Sequence, residues 1–290
     1  PFNIYRSVKA TTSLRHDRYQ LQSSDPLSFQ TGVTNEQRVS LKLEYVFDNS
    51  YEESINMRVG LRYKAFSEII NHFELLVTDG FSFKPSKGFT TVLGFDARYY
   101  QPFLRRSILA LRIAGATSFG SEKILYYLGG VENSFFQQFD NSISIQTDNT
   151  YAYKVNAYQM RGFKNNIRNG NTFLLSNIEA RIPVMQYFLG KNRGSSFVKH
   201  IQIVGFYDAG LAWYGSSPYS DKNPLNQVHI VSPPLLELDV TYFRDPLVMS
   251  YGFGVRTMLL GYFIKIDRAW GIETRESLRP RWHFSFGTDF

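Results

Sequence analysis

The chain has 290 residues, no cysteine, a formal net charge of +7 and a mean hydropathy of −0.26. The absence of cysteine excludes disulfides and thiolate metal sites, and no window has the run of about 18 apolar residues that a membrane-spanning helix requires. Aromatic residues make up 16% of the chain, and rings are favoured both in strands and at membrane interfaces, so a β-rich protein is indicated.

Apolar and polar residues alternate with the period of a β-strand in successive segments along the chain. No convincing helical pattern interrupts them. We therefore predict an all-β protein built from about ten antiparallel strands. In chain order the predicted strands lie near residues 5–15, 38–48, 54–66, 89–100, 108–115, 174–184, 201–213, 249–257, 262–268 and 280–290.

One face of the predicted strands is apolar and the other is charged. This charged face has two interpretations, a basic lumen that favours anionic solutes or a mutually paired polar network. Because the charges follow strand parity and form no separate patch, nucleic-acid binding is not expected. The charged residues on this face are Arg38, Lys42, Arg58, Arg62, Lys64, Arg98, Arg112, Arg181, Arg256 and Lys265, together with Glu44, Asp48, Asp96, Glu179, Asp208 and Asp267.

The connections between the predicted strands alternate in length. Short connections are expected near 49–52, 101–104 and 260–262, with a moderate one near 187–197, and long ones at 16–36, 67–88, 120–171, 215–246 and 270–280. A soluble sandwich is the alternative for such strands, but it has no reason to place short turns on one side. The pattern is typical of a transmembrane β-barrel of the outer-membrane type, with its apolar face toward lipid and its C-terminus toward the periplasm.

The C-terminal segment RWHFSFGTDF carries rings at every second position of one face. The predicted apolar face of this last strand consists of Trp282, Phe284, Phe286, Thr288 and Phe290, and the interleaved positions are polar or small. In a barrel, Phe290 would then lie near the membrane interface, where aromatic girdles occur.

Three stretches in order carry a family resemblance: MRGFKNNIRNGN at 160–171, SNIEARIP at 176–183 and GFYDAG at 205–210. With the C-terminal strand, they resemble the superfamily of outer-membrane assembly insertases and two-partner-secretion transporters, the bacterial surface antigen barrels. The resemblance extends over residues 36–290. The family has a four-residue V/I/M-R-G-F/Y motif, the tetrad, which residues 160–163 match. One departure is Met160, where the family usually has a branched residue before the arginine.

The resemblance implies a site. In the family the tetrad lies at the tip of a long external loop that folds back into the lumen, and its arginine contacts acids on the next two strands. Carried over, Met160, Arg161, Gly162 and Phe163 form the tetrad, and Glu179 and Asp208 are the acids. A guanidinium held by two carboxylates makes charge-assisted hydrogen bonds that pin a loop in one pose.

The resemblance also implies an architecture and a function. Family barrels have sixteen strands, so residues 1–290 would be the C-terminal part of one barrel domain, without about six N-terminal strands and any periplasmic domains. The expected function is insertion, assembly or translocation of proteins at the bacterial outer membrane. Outer-membrane lipid and client proteins are the expected partners. The C-terminal strand, with Trp282, Phe284, Phe286 and Phe290, would be both an assembly signal and one side of a gate.

Catalytic motifs are absent from the sequence. It has no nucleophile elbow, no metalloprotease helix motif and no phosphate-binding loop, and its five histidines are scattered. Glu179 and Asp208 would be poor general acids because a nearby arginine keeps carboxylates ionised. We therefore expect no enzyme activity, no cofactor and no metal. The alternative function is a plugged barrel that serves as a solute channel or as the membrane anchor of a larger assembly.

Overall fold

The computed structural model describes residues 4–19, 34–77, 81–85, 88–146, 149–157, 159–189, 196–220, 223, 227–232, 236–241 and 244–290. The strands are β1 (Arg6–Tyr19), β2 (Thr34–Asp48), β3 (Tyr51–Ser54), β4 (Met57–Val77), β5 (Phe81–Pro85), β6 (Thr90–Pro102), β7 (Ile108–Gly120), β8 (Lys123–Leu128), β9 (Tyr151–Ala157), β10 (Arg168–Gly170), β11 (Thr172–Ile182), β12 (Gln202–Trp213), β13 (Gln227–Ser232), β14 (Leu236–Thr241), β15 (Val248–Leu259), β16 (Tyr262–Glu273), β17 (Glu276–Ser277) and β18 (Arg281–Phe286). Two short helices, α1 (Val184–Leu189) and α2 (Ser196–Lys199), lie between β11 and β12.

Ten long strands form the main sheet, and each pairs antiparallel with the next along the chain. Their order is β1-β2-β4-β6-β7-β11-β12-β15-β16-β18, and the short strands β3, β5 and β17 attach to β4 or β16. These ten strands coincide with the ten that the alternating pattern predicts. The all-β, antiparallel part of the prediction is therefore confirmed.

The two ends of the main sheet are not joined to each other. Among the described residues, β1 pairs only with β2, and the strand pairing of β18 is with β16. The structure therefore shows an antiparallel sheet with two free ends. Closure into a barrel stays a prediction.

The main sheet carries its apolar side chains outside and its charges inside. Leu43, Ile113 and Phe253 on the outer face are each about half exposed, at 50%, 50% and 51%. On the inner face, Arg181 and Asp208 are fully buried. Charged residues are almost never fully buried unless they are paired, so the inward-facing charges require partners.

Two connections differ from the sequence-based prediction. The predicted tight turn at 49–52 contains the short strand β3, and the chain reverses later, at Asn56, which has a positive φ of 63°. The connection after β11 contains α1 and α2, which were not predicted. Pro183 ends β11 because proline has no N–H for the ladder, and its carbonyl accepts a hydrogen bond from Gln186 at 3.0 Å. Within the described part of the chain, no helix has the length and apolar character needed to span a membrane.

The described residues of the chain between β7 and β11, within 121–171, lie mainly against the inner face of the main sheet. We call these residues the inner loop. Its strands form a small sheet of order β10-β8-β9. One apolar cluster fixes the inner loop to the sheet by joining Leu128, Ala157, Met160, Phe163 and Ile167 of the loop to Leu175, Ala212 and Val248 of the sheet. The polar interior is therefore largely filled by the chain itself.

The end of the chain departs from the predicted strand. β18 stops at Phe286, and positive φ angles at Gly287 (111°) and Asp289 (67°) turn the last residues inward. Phe290 packs on the inner face with Tyr100 and Ile108. The predicted position of Phe290 on the outer apolar face is therefore wrong, because the turn after β18 breaks the strand parity before the last residue.

Candidate functional site

Arg161, at the tip of the inner loop, is bound to carboxylates of two neighbouring strands. Its Nε and Nη2 donate to the two carboxylate oxygens of Asp208 on β12 at 2.8 and 2.6 Å, and its Nη1 donates to Glu179 on β11 at 2.5 Å. The guanidinium also lies over the ring of Phe206 at 3.7 Å. These are the two acids that the resemblance assigns to the arginine.

The Arg161 site is completely buried. Arg161, Glu179 and Asp208 expose 1%, 1% and 0% of their surface. Burial lowers the pKa of Arg161, but the charges of Asp208 and Glu179 outweigh burial and raise the pKa overall, so the guanidinium stays charged. The bidentate pair with Asp208 also fixes the orientation of the side chain, because two parallel N–H···O bonds leave little rotational freedom.

Glu179 is shared by three arginines. Besides Arg161, it accepts from Arg181 Nε at 2.8 Å and from Arg256 Nη2 at 2.7 Å. Arg181 and Arg256 lie on β11 and β15, so one carboxylate joins two strands of the sheet to the inner loop. An isolated buried carboxylate would be costly, and three cations with direct hydrogen bonds offset that cost.

The charged network continues to the end of the chain. Asp289 accepts from Arg181 Nη2 at 3.1 Å, from Arg98 Nη1 at 2.8 Å and from the Tyr100 hydroxyl at 2.5 Å. Arg98 also pairs with Asp96 at 2.9 Å. Opposite charges are therefore matched from β6 to β15, as in the mutually paired interpretation of the charged face.

The two residues after Arg161 connect the inner loop to the last strands. The backbone N–H of Gly162 donates to His283 Nε2 on β18 at 2.9 Å. The ring of Phe163 packs against Gly271 on β16, where a Cβ would come within 2.6 Å of the ring. The tip of the inner loop thus binds β11, β12, β16 and β18 at the same time.

The edge of β18 that does not pair with β16 is in contact with a short piece of the inner loop. Phe135 N–H donates to the Phe284 carbonyl at 3.0 Å, and Phe286 N–H donates to the Asn133 carbonyl at 3.3 Å. Ser134 and Ser285 are paired across this contact as an isolated antiparallel bridge. We call residues 133–136 the edge segment. It mimics a very short additional strand beside β18.

The edge segment also contacts the aromatic face of β18. The rings of Phe135 and Phe286 lie 4.4 Å apart, and those of Phe136 and Phe284 lie 6.2 Å apart. Of the four predicted residues of the C-terminal signal, Trp282, Phe284 and Phe286 lie on the outer face, whereas Phe290 is inside. Two predicted rings therefore contact the edge segment.

Several residues of the network were not assigned to the site by the sequence analysis. Asp289 was placed on the polar parity without a partner, and His283 was treated as an interleaved polar residue. Asn56 was also missed, although its side chain contacts Gln202 at 3.0 Å and accepts from the Asp289 N–H at 2.8 Å. No local pattern reports these contacts, because their partners are remote in the sequence. The turn at Gly287 and Asp289, both with positive φ, is also not predicted by strand alternation.

The described residues contain no group of three or more histidine, aspartate or glutamate side chains placed to hold a metal ion. The geometry defines an antiparallel sheet whose charged inner face is bound to an inner loop. Neither the protein-family models nor the curated proteins contain a match to this sequence.

Proposed function

We propose that this chain is an outer-membrane β-barrel, or a large part of one, that inserts or translocates proteins at the bacterial outer membrane. The proposed relationship is to the bacterial surface antigen barrels, and the C-terminus would face the periplasm. The proposal has two parts, a membrane location and a gate beside the last strand, which different features support.

The apolar outer face supports the membrane location. Leu43, Phe95, Ile113 and Phe253, on four different strands, each expose more than two-fifths of their surface. Soluble monomers rarely expose a contiguous apolar surface beyond a few hundred Å². A lipid environment removes this surface from water and leaves the paired charges inside the sheet.

The edge of β18 carries the gate proposal. β16 pairs with β15 at twelve successive positions, from Tyr262 to Glu273, whereas among the described residues the backbone at the other edge of β18 is bonded only to the edge segment. Unpaired N–H and C=O groups at membrane depth cost several kcal/mol each, so a strand that supplies the missing bonds is favoured there. A client strand that adds to this edge is the proposed substrate.

The Arg161 anchor would hold the gate's inner loop in place. Arg161 fixes the loop tip to β11 and β12, and Gly162 continues the contact to His283 on β18. Because the edge segment belongs to the same loop, the anchor determines how close that segment stays to β18. The anchor therefore acts on the gate by position, with no chemical step.

A reversible cross-link between the edge segment and β18 tests the gate. Ser134 and Ser285 are paired positions, and the chain has no native cysteine, so Ser134→Cys with Ser285→Cys introduces one defined disulfide. The matched control is Thr117→Cys with Thr172→Cys, which staples β7 to β11 at a paired position away from the edge. Both variants would be placed in cells that depend on this protein, with growth and outer-membrane protein levels as the readout.

The two pairs should behave differently. We expect the Ser134–Ser285 lock to stop client assembly under oxidising conditions and to release it on reduction, while the Thr117–Thr172 staple has no effect. Equal activity of the locked and reduced proteins would remove the gate from the proposal and leave the membrane barrel.

A plugged barrel acting as a solute channel or membrane anchor is the second candidate. The observation that favours it is the inner loop, which fills the inner face through the cluster around Met160 and Phe163. A channel or anchor needs no movement at the edge of β18. Insensitivity to the Ser134–Ser285 lock is therefore its expected result, and ion conductance in planar bilayers then separates a channel from an anchor.

A further inference from the structure

On the nine long strands that follow β1, the outer face of the main sheet contains one charge. Within the described residues of the nine long strands that follow β1, every outward position is apolar or uncharged except Arg268 on β16. Its register neighbours on this face are Phe253 on β15 and Trp282 on β18. A cation in this position is unexpected, because the other arginines of these strands either lie on the inner face or lie at strand ends.

Two tryptophans hold the Arg268 guanidinium. The guanidinium carbon lies 5.5 Å from the ring centre of Trp270 and 5.2 Å from that of Trp282. Both distances are within cation–π range, and tryptophan is the best aromatic partner for a cation. The side chain is therefore held in a defined pose beside the last strand.

No described carboxylate pairs with Arg268. It makes no ion pair or hydrogen bond with another described residue, and its Nε is buried without a hydrogen-bond partner. A guanidinium has five N–H donors and binds carboxylate or phosphate in a fork geometry. The buried Nε–H therefore lacks an acceptor among the described residues, and a bound anion would supply one.

The position of Arg268 indicates where the anion comes from. Trp270 and Tyr251 stack at 5.8 Å and form a row of rings on the outer face, two positions beyond Arg268 toward the longer connections. Such rows mark the level of lipid headgroups in membrane barrels. Arg268 is the seventh of the twelve residues of β16, and its long side chain can extend along the outer face toward the headgroups by snorkelling.

A lipid phosphate also offsets the energetic cost of this residue. An arginine on the lipid face of a barrel is costly at the bilayer midplane and much less so near the interface. We propose that Arg268, Trp270 and Trp282 form a binding site for the phosphate of an anionic membrane lipid beside the last strand. The inference rests on the proposed membrane location and does not depend on the gate.

The test measures which lipid surrounds the two tryptophans. The chain has three tryptophans, so Trp213→Phe leaves Trp270 and Trp282 as the fluorescent reporters. The protein is placed in phosphatidylcholine vesicles with a minority of phosphatidylglycerol, and bromine on the acyl chains of one lipid or the other quenches the nearby rings. We expect phosphatidylglycerol to be enriched about fivefold at the reporters, which corresponds to about 1 kcal/mol.

Substitutions assign the preference to the guanidinium. Arg268→Gln should abolish the enrichment, Arg268→Lys should keep most of it, and Arg279→Gln, which removes an exposed charge outside the strands, should change nothing. Inorganic phosphate added to vesicles of phosphatidylcholine alone should leave the tryptophan fluorescence unchanged. A fluorescence response to phosphate would mean that the ligand of the site is a soluble anion and not a lipid.

The outcomes separate this site from the general proposal. A protein that does not enter vesicles at all removes the membrane location itself. A protein that enters them but shows no lipid preference overturns the Arg268 site alone, even if Arg268→Gln fails to fold. An unchanged phosphatidylglycerol preference in Arg268→Gln also overturns the Arg268 site. If the unmodified protein shows no lipid preference but Arg268→Gln loses client assembly, the guanidinium would be assigned to a client carboxylate instead.

Discussion

At the scale of single residues, the buried charges are held in balance by their partners. Among the described residues, Asp208 has one cationic partner, Arg161, whereas Glu179 has three in Arg161, Arg181 and Arg256. Loss of Arg161 would therefore leave Asp208 as an unpaired buried carboxylate but leave Glu179 neutralised. The two acids look equivalent in the sequence, but they have different consequences on mutation.

This asymmetry predicts the effect of removing Arg161. We expect Arg161→Ala to destabilise the docked inner loop by about 3–5 kcal/mol, because it breaks a buried ion pair and leaves the Asp208 carboxylate without a cation. The double variant Arg161→Ala with Asp208→Asn should recover part of the lost stability, because it removes the unpaired charge of Asp208. Limited proteolysis within residues 121–171 measures loop docking. Additive losses from the two substitutions would contradict this account of Asp208.

A second prediction concerns pH and the end of the chain. Burial raises the pKa of Asp289, but Arg181 and Arg98 outweigh burial and lower the pKa below its usual 3.8. The stabilising contribution of Asp289 is therefore complete above the unfolded pKa and is lost only as the pH falls through the lower folded value. We expect the tail to stay docked from neutral pH down to about pH 4.

Hydrogen–deuterium exchange at the backbone amides of residues 287–290 measures that docking, as the protection of these amides relative to an unfolded peptide at the same pH. Asp289→Asn should lower this protection across the whole pH range, while Thr288→Ala, at an exposed neighbour, should not. Loss of protection in the unmodified protein that already begins near neutral pH would show that Asp289 does not hold the tail.

At the scale of elements, the tip of the inner loop depends on a glycine for two separate reasons. Gly162 has a φ of 86°, and a Cβ there would lie 2.8 Å from the backbone nitrogen of Gly271 on β16. Gly215 has a similar φ of 77°, but a Cβ there would meet nothing within 4 Å. Both glycines have positive φ, but only Gly162 lies close to another backbone, so comparing substitutions at the two positions separates backbone strain from steric contact.

Alanine substitution at both positions uses this difference. Gly215→Ala should cost about 1–2 kcal/mol, the penalty of a left-handed conformation for an L-residue. Gly162→Ala should cost clearly more and should also weaken the Gly162–His283 contact, because the loop tip must move away from β16. Thermal unfolding in detergent and proteolysis of the inner loop provide the two readouts. Equal costs at the two positions would mean that the tip has room to relax.

The element scale also shows what the sequence can specify. Strand parity is local, so the outward position of Ile178 and the inward position of Glu179 follow from alternation alone, and the structure has both. The helices α1 and α2 and the turn at Asn56 were missed because proline and positive φ end the periodic pattern without indicating what replaces it. The link between Gly162 and His283 joins residues 121 positions apart, and no local rule predicts such a contact.

At the scale of the whole molecule, the exposed apolar face gives a direct test of the environment. Ile113 is 50% exposed in the middle of β7. In water, Ile113→Arg should change stability by less than about 0.5 kcal/mol, as most surface substitutions do. In a membrane, the same change should cost about 2–4 kcal/mol and reduce insertion into vesicles.

The control places the same charge outside the sheet face. Ser277→Arg adds an arginine to the exposed short strand β17 and should be harmless in either environment. Insertion yield into lipid vesicles and heat-modifiable gel migration are the measurements. Wild-type behaviour of Ile113→Arg in both assays would favour a soluble protein and remove the basis for the membrane location.

The network around Asp289 has a consequence for the order of folding. Asp289 bonds to Arg98 across 191 positions and to Arg181 across 108. Contacts of such long sequence separation form late, because the entropy of closing the intervening chain must first be overcome. Arg98 and Arg181 therefore gain this shared counter-charge only once the intervening strands have brought Asp289 back to them, so Asp289 acts as a latch on the folded sheet.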